Sequence, residues 1–214
     1  EKTYNEIKSF LDEKQPNQTD IKELLTIKGL IRKGEATAGA RFAGVPDDRI
    51  HFMDLPFYDR FKYRNSTDFE DDILQTMELL RKIRPHQVFT AGDFEDPHGT
   101  HKVCFNIVLQ ALIRLKITDD WVKDCWLWLY RGAWHEFEIY EIEMAVPLSP
   151  EEVKRKRLAI FKHQSQKDLP VFPGDDSREF WVRAEDRTSE TANAYNRLGL
   201  AEYAAIEAFK RFHF

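Results

Sequence analysis

Two histidines three residues apart, His98 and His101, stand in the stretch Thr90-Ala91-Gly92-Asp93-Phe94-Glu95-Asp96-Pro97-His98-Gly99-Thr100-His101. Imidazoles at that spacing on one helical turn can face a common cavity, one ligating a metal while the other donates or accepts a proton. Asp-Pro ahead of them is helix-start chemistry, with Asp96 as N-cap and Pro97 as the first helical residue. A second reading stays open on spacing alone. Two histidines beside a capping motif can simply be solvated, because two imidazoles without further ligands do not specify a metal.

Other polar residues at element ends carry similar alternatives. Arg131, in Tyr130-Arg131-Gly132-Ala133-Trp134-His135, follows a strand end and could clamp a phosphate or carboxylate, or pair structurally with Glu136. Trp126, Trp128, Tyr130 and Trp134 could stack on a sugar ring or fill a core. His163 closes a helix, where exposed carbonyls give an imidazole a bland role. Asp54 either lines a cavity or caps a turn, and Cys104 and Cys125 read as buried free thiols.

The elements that must position these residues follow from periodicity. Residues 2–14 read as a charged helix, and a second helix runs from an N-cap at Asp20 to Gly44, its small residues suited to packing on a sheet. Residues 49–55 read as a short buried strand, 68–84 as a helix stopped before Pro85, and 88–91 as another strand. The apolar helix 103–115 and strand candidates at 124–130 and 139–146 come next, then a helix started by Ser149-Pro150-Glu151-Glu152. Helices over about 177–198 and 201–212 are expected to finish the chain, so that 170–214 forms a helical extension. Strand, loop, helix in succession is the rhythm of an α/β, Rossmann-like layered fold with a mostly parallel sheet flanked by helices. Sites in such folds lie at the C-terminal ends of the strands, where the His98–His101 stretch falls. No repeat or linker divides residues 1–214, which read as a single domain.

Bulk properties narrow the partners. A net charge of -5, with basic and acidic residues interspersed, leaves no surface suited to a nucleic-acid backbone. Apolar runs such as 103–115 are shorter than a membrane span and no signal-peptide pattern opens the chain, so a cytoplasmic protein without membrane contact is expected. The opening Glu1-Lys2-Thr3-Tyr4 lacks an initiator Met and reads like the middle of a helix, an expectation of an N-terminally truncated domain.

Ile83-Arg84-Pro85-His86-Gln87-Val88-Phe89-Thr90 followed by Asp96-Pro97-His98-Gly99-Thr100-His101 resembles the signature of PIG-L/LmbE-type domains. Arg32, Glu35, Ala38, the Phe42-Ala43-Gly44-Val45 turn, Phe52-Met53-Asp54-Leu55-Pro56 and the element Phe161-Lys162-His163-Gln164-Ser165-Gln166 are similar in order to that family over about residues 30–170. The stretches around Trp128–Trp134 and Phe172–Trp181 are similar to the C-terminal domain of two-domain glucosamine-6-phosphate deaminase-like proteins of Bacteroidetes-type bacteria. There, an N-terminal sugar-phosphate isomerase/deaminase domain precedes the PIG-L-like one.

The resemblance implies a zinc-dependent N-deacetylase of an N-acetylated amino sugar or sugar phosphate. His101 matches the last metal ligand, His98 a catalytic histidine, Asp96 a supporting residue, and Arg32 a substrate-contacting arginine; Arg131 and His163 join as substrate-binding candidates. The family's other ligands come from an N-terminal His-Pro-Asp-Asp motif. No such motif occurs between Glu1 and Phe214, and Thr100 stands where many relatives have Asp. Zinc therefore belongs to the complete domain, and this chain alone is expected to be catalytically silent. The fold would then lack its N-terminal strand, and an edge left open in that way admits a homo-oligomer. The competing expectation is a non-catalytic sugar-phosphate-binding or assembly module.

Overall fold

The computed structural model describes residues 2–16, 18–57, 69–94, 99–132, 136–166, 178–199 and 202–214. Lys2–Glu13 (α1) and Lys22–Ala43 (α2) form as their spacing expects. Asp20 does not cap α2. It accepts from Lys14 and Lys28, each at 2.6 Å, and Ile21 holds the cap position without a side-chain bond. Two ammonium donors win that carboxylate from the helix amides. Gly44 does end α2, at φ 94°. Glu70–Ile83 (α3) ends on Arg84, which adopts φ 49° and returns its N–H to the Leu80 carbonyl at 2.7 Å. A left-handed cap, rather than an extended residue, thus separates α3 from Pro85.

Gln87–Ala91 (β1), Thr100–Thr118 (α4), Trp126–Tyr130 (β2), Met144–Leu148 (β3), Pro150–Ile160 (α5), Phe180–Arg197 (α6) and Ala205–Phe212 (β4) complete the described elements. The sheet order is β1-β2-β4-β3. β1 and β2 run parallel, joined by α4 as the crossover helix, whereas β4 is antiparallel to both β2 and β3. The layered α/β arrangement is the expected one. Its parallel part is confined to β1 and β2, because β4 arrives from α6 in the opposite direction.

Three further expectations are corrected. The C-terminal segment is not a helical extension: α6 is helical, but 205–212 is a strand inside the sheet. The surrounding Ala-rich stretch favours a helix locally, yet pairing with β3 over 205–209 and β2 over 209–212, with burial of Ile206 and Ala208, each 1% exposed, overrides that propensity. Residues 50–55 have no strand partner among the described residues; Asp47–Arg49 is a 3-10 turn and Phe52 is exposed. A strand exists only through its ladder, and the Met53 carbonyl accepts from the Gln75 side chain instead. Within 139–146, the reciprocal cap between Glu138 and Glu141 winds Ile139–Glu141 into a 3-10 turn, so β3 starts only at Met144.

The core lies between the sheet and α3–α4. Phe105, Ile107, Ala111, Leu112 and Leu115 of α4 are buried beside Ile73, Met77 and Leu80 of α3 and Leu127 and Leu129 of β2. Phe212 of β4 meets Phe105 edge-on at 5.0 Å. The small residues of α2 face α5 rather than the sheet: a side chain at Gly39 would meet His163 and Ala159, and Gly34 faces open space. α6 packs on β4 through a polar face in which Arg187 bridges Glu136 and Glu207. Among the described residues no helix is long and apolar enough to cross a membrane.

The placement of β4 is testable by truncating side chains. Ile206→Ala should cost ~2–5 kcal/mol in urea unfolding, as a buried strand residue does. Ile117→Ala, at a position 83% exposed, should stay within ~0.5 kcal/mol. Equal effects would contradict the central strand.

Candidate functional site

The C-terminal ends of the parallel strands β1 and β2 lie side by side, Ala91 opposite Tyr130, with the Gly92 N–H donating to the Tyr130 carbonyl at 2.7 Å. Directly after β1 comes Asp93, 1% exposed. Its Oδ2 accepts the Gly132 N–H at 2.6 Å, and its Oδ1 lies 3.6 Å from Nη1 of Arg131. The Arg131 guanidinium also stacks over Phe137, 4.6 Å from the ring centroid. Arg131 therefore pairs with Asp93, not Glu136, whose carboxylate is taken by Arg187. A charge opposed in this way is a weaker clamp for a ligand anion than a free guanidinium.

Asp96, Pro97 and His98 lie outside the described residues, as do Ala133, Trp134 and His135. Helix α4 is described from Thr100, with Gly99 at its cap position in the left-handed region (φ 67°). Glycine reaches that conformation without a Cβ penalty. His101 is half-buried on the first turn of α4. Thr100 and Cys104, its neighbours on that turn, line a cavity of about 450 Å³ together with Arg32, Met53, Asp54, Leu55 and Phe57. Arg32 has no ion-pair partner among the described residues. Asp54, at φ 47°, points its carboxylate at Lys33, 2.5 Å away. The cavity thus offers a guanidinium without an ion-pair partner among the described residues, a hydroxyl and apolar walls.

Burial and the nearby Asp72 carboxylate push the Cys104 thiol above its ordinary range, so it is a neutral wall rather than a nucleophile. Burial likewise raises the Tyr130 phenol, with Asp93 adding to the effect. Asp72 itself is fully buried and accepts the Phe57 N–H at 2.8 Å, fixing the end of the 53–57 wall. Neither Asp72 nor Asp93 was expected from spacing. The available signal was a carboxylate on the apolar stripe of α3, where Asp72 shares a face with Ile73, Thr76 and Met77.

His163 is placed away from the lining of this cavity. It sits against α2 at Gly39, seven residues or about 10 Å along the helix from Arg32. The Ser165 amide and hydroxyl donate to the two oxygens of Glu35 at 2.7 and 2.6 Å. Although burial pushes the Glu35 carboxyl up, the Ser165 bonds and the adjacent His163 hold it below its ordinary value. Of the tryptophans, Trp128 is core, while Trp126 is half-exposed and covered by Arg211 at 3.8 Å. Among the described residues no group of three or more His, Cys, Asp and Glu side chains could hold a metal ion.

Two outcomes follow from these contacts. A Cβ at Gly132 would stand 2.7 Å from Asp93 Oδ2, so Gly132→Ala should cost ~1–3 kcal/mol by dislodging a buried carboxylate. Gly34→Ala, with nothing within 4 Å, should instead be neutral or stabilising in the same unfolding assay. Because the folded pKa of Glu35 is depressed, its contribution is full above the ordinary carboxylate value and disappears as pH falls through the lowered one. The stability difference between the parent chain and Glu35→Gln should therefore shrink only on the acid side of pH 4.5.

Comparison with known proteins extends the geometry. Residues 11–112 match the family described as GlcNAc-PI de-N-acetylase, PIG-L. A glucosamine-6-phosphate deaminase-like protein of Bacteroides thetaiotaomicron is 51% identical over 207 residues, covering 96% of this chain and 31% of that protein. The chain thus spans about a third of the length of that curated relative. The crystal structure of GalB, the 4-carboxy-2-hydroxymuconate hydratase of Pseudomonas putida, superposes with a TM-score of 0.61 over 92% of this chain and 77% of its own, at 13% identity, a likeness of fold. The likeness to the PIG-L family lies in the segment 11–112, which contains Arg32, His98 and His101.

Proposed function

We propose that this chain is part of an N-deacetylase acting on an N-acetylated amino sugar or sugar phosphate, and that it is inactive without residues from outside it. The observation that carries the reading is the adjacency of the His101 turn and the Arg32 cavity at the C-terminal end of the parallel strands. In this reading Arg32 binds the anionic or hydroxyl end of the sugar, and the apolar wall of Met53, Leu55 and Phe57 takes the acyl side. His98 serves as the proton-handling histidine and Asp96 as its support. Arg131 orients the substrate, its charge tempered by Asp93. His163 contributes to substrate binding from about two turns along α2 from Arg32.

Zinc is the metal implied by the family. His101 is the one donor proposed for it among the described residues, which do not form a complete site. The remaining donors are assigned to polypeptide beyond this chain, in keeping with the length of the relative.

A second reading is a non-catalytic module that binds sugar phosphate or assembles a glucosamine-6-phosphate deaminase/isomerase-like protein, in keeping with the name and greater length of the relative. The partner would then be an N-terminal sugar-phosphate isomerase/deaminase domain.

A longer protein that includes the upstream residues separates the two. The hydrolase reading expects stoichiometric zinc and acetate release from N-acetylglucosamine 6-phosphate, both lost in His101→Ala. Zinc retained in full by His101→Ala would overturn the ligand assignment. Absence of both zinc and acetate release from the longer protein would leave the binding module.

A further inference from the structure

We infer that Arg187, on the C-terminal helix α6, is a positioning residue for Arg131 and Gly132 at the site. The inference rests on the reading that Arg131 and Gly132 belong to that site, and it brings in a part of the chain beyond the segment 11–112.

The contacts form a continuous path. Arg187 is 7% exposed, and its guanidinium reaches Glu136 with one nitrogen and Glu207 of β4 with another, the latter at 2.9 Å. Glu136 also accepts the Thr191 hydroxyl at 3.3 Å, and its Oε1 accepts the Phe137 N–H at 2.9 Å. The Phe137 ring carries the Arg131 guanidinium, which faces Asp93, and Asp93 holds the Gly132 N–H. Each step is a hydrogen bond, an ion pair or a ring contact between half-buried or buried groups.

The direction of control follows from what anchors each end. Glu207 lies on β4 opposite Val146 of β3, so Arg187 is fixed relative to the sheet. Glu136 lies outside any helix or strand and receives its place from Arg187 and Thr191. A planar fork can span two carboxylates from different elements, whereas an ammonium cannot reproduce that geometry. With Arg187 replaced, Glu136 loses its anchor and Phe137 its fixed amide, and the support beneath Arg131 shifts.

The test uses the 214-residue chain and two nitrogen-15 signals, the Arg131 Nε–H and the Gly132 amide. Arg187→Lys and Glu136→Gln should each shift both signals and speed their hydrogen exchange about tenfold, while the amides of Leu112 and Leu115 in α4 stay in place. Glu185→Gln, on the same helix but paired with Arg157, should leave both signals unmoved. If Arg187→Lys does not fold, Glu136→Gln, which keeps the shape but replaces one acceptor oxygen by an NH2 donor, decides. Unmoved Arg131 and Gly132 signals in a folded variant overturn the inference and leave Arg187 as a strut between α6 and β4. Adding N-acetylglucosamine 6-phosphate to the parent chain separates this from the function: no response to the sugar counts against ligand binding by this chain, while the free-state spectra still decide the role of Arg187.

Discussion

Backbone pairing of residues 205–212 is the constraint on which the rest of this structure hangs. A strand buried in the middle of a sheet must find partners for its N–H and C=O groups on both sides, and β4 finds them in β2 and β3. That placement brings Phe212 onto Phe105 of α4 and sets Glu207 where Arg187 can meet it. It also gives α6 a sheet surface to cover. Without β4, β3 would have no partner among the described strands, and β2 would lose one of its two neighbours.

The site inherits its shape from this scaffold in two halves. One half is polar and tightly tied, with Asp93, Gly132, Arg131 and Phe137 locked together where β1 and β2 end. The other is roomier, formed between α2, the 53–57 wall and the first turn of α4, with Arg32 free of an ion pair among the described residues. The two differ in electrostatic character. Charge in the first half is internally opposed, whereas the second keeps a cation available to a ligand, and that division underlies the roles assigned to Arg131 and Arg32.

Much of this architecture was legible in the sequence. The spacing of apolar residues located α1 to α4, the Ser149-Pro150 start located α5, and Gly44 ended α2 as expected. What failed did so where long-range pairing decides. The Ala-rich run at 201–212 has the local preference of a helix, yet Ala205–Phe212 forms a strand because two other strands flank it. Residues 49–55 have the composition of a strand but no ladder partner among the described residues. In the candidate site, Arg32 was expected from the family resemblance and His101 from both spacing and resemblance, and the cavity lies between Arg32 and the turn that carries His101. Asp72 and Asp93 were missed because isolated carboxylates carry no signature until their buried amide partners are known.

The edge strand β3 contains Pro147, which has no N–H to offer a neighbour, while β1 at the opposite edge contains no proline. The sheet therefore has a direction of growth. Additional polypeptide can extend its hydrogen-bond ladder with less hindrance beside β1 than beside β3. Any such strand would run along the side of the sheet that leads into the Asp93 turn, so enlarging the sheet and building out the site would be the same structural event.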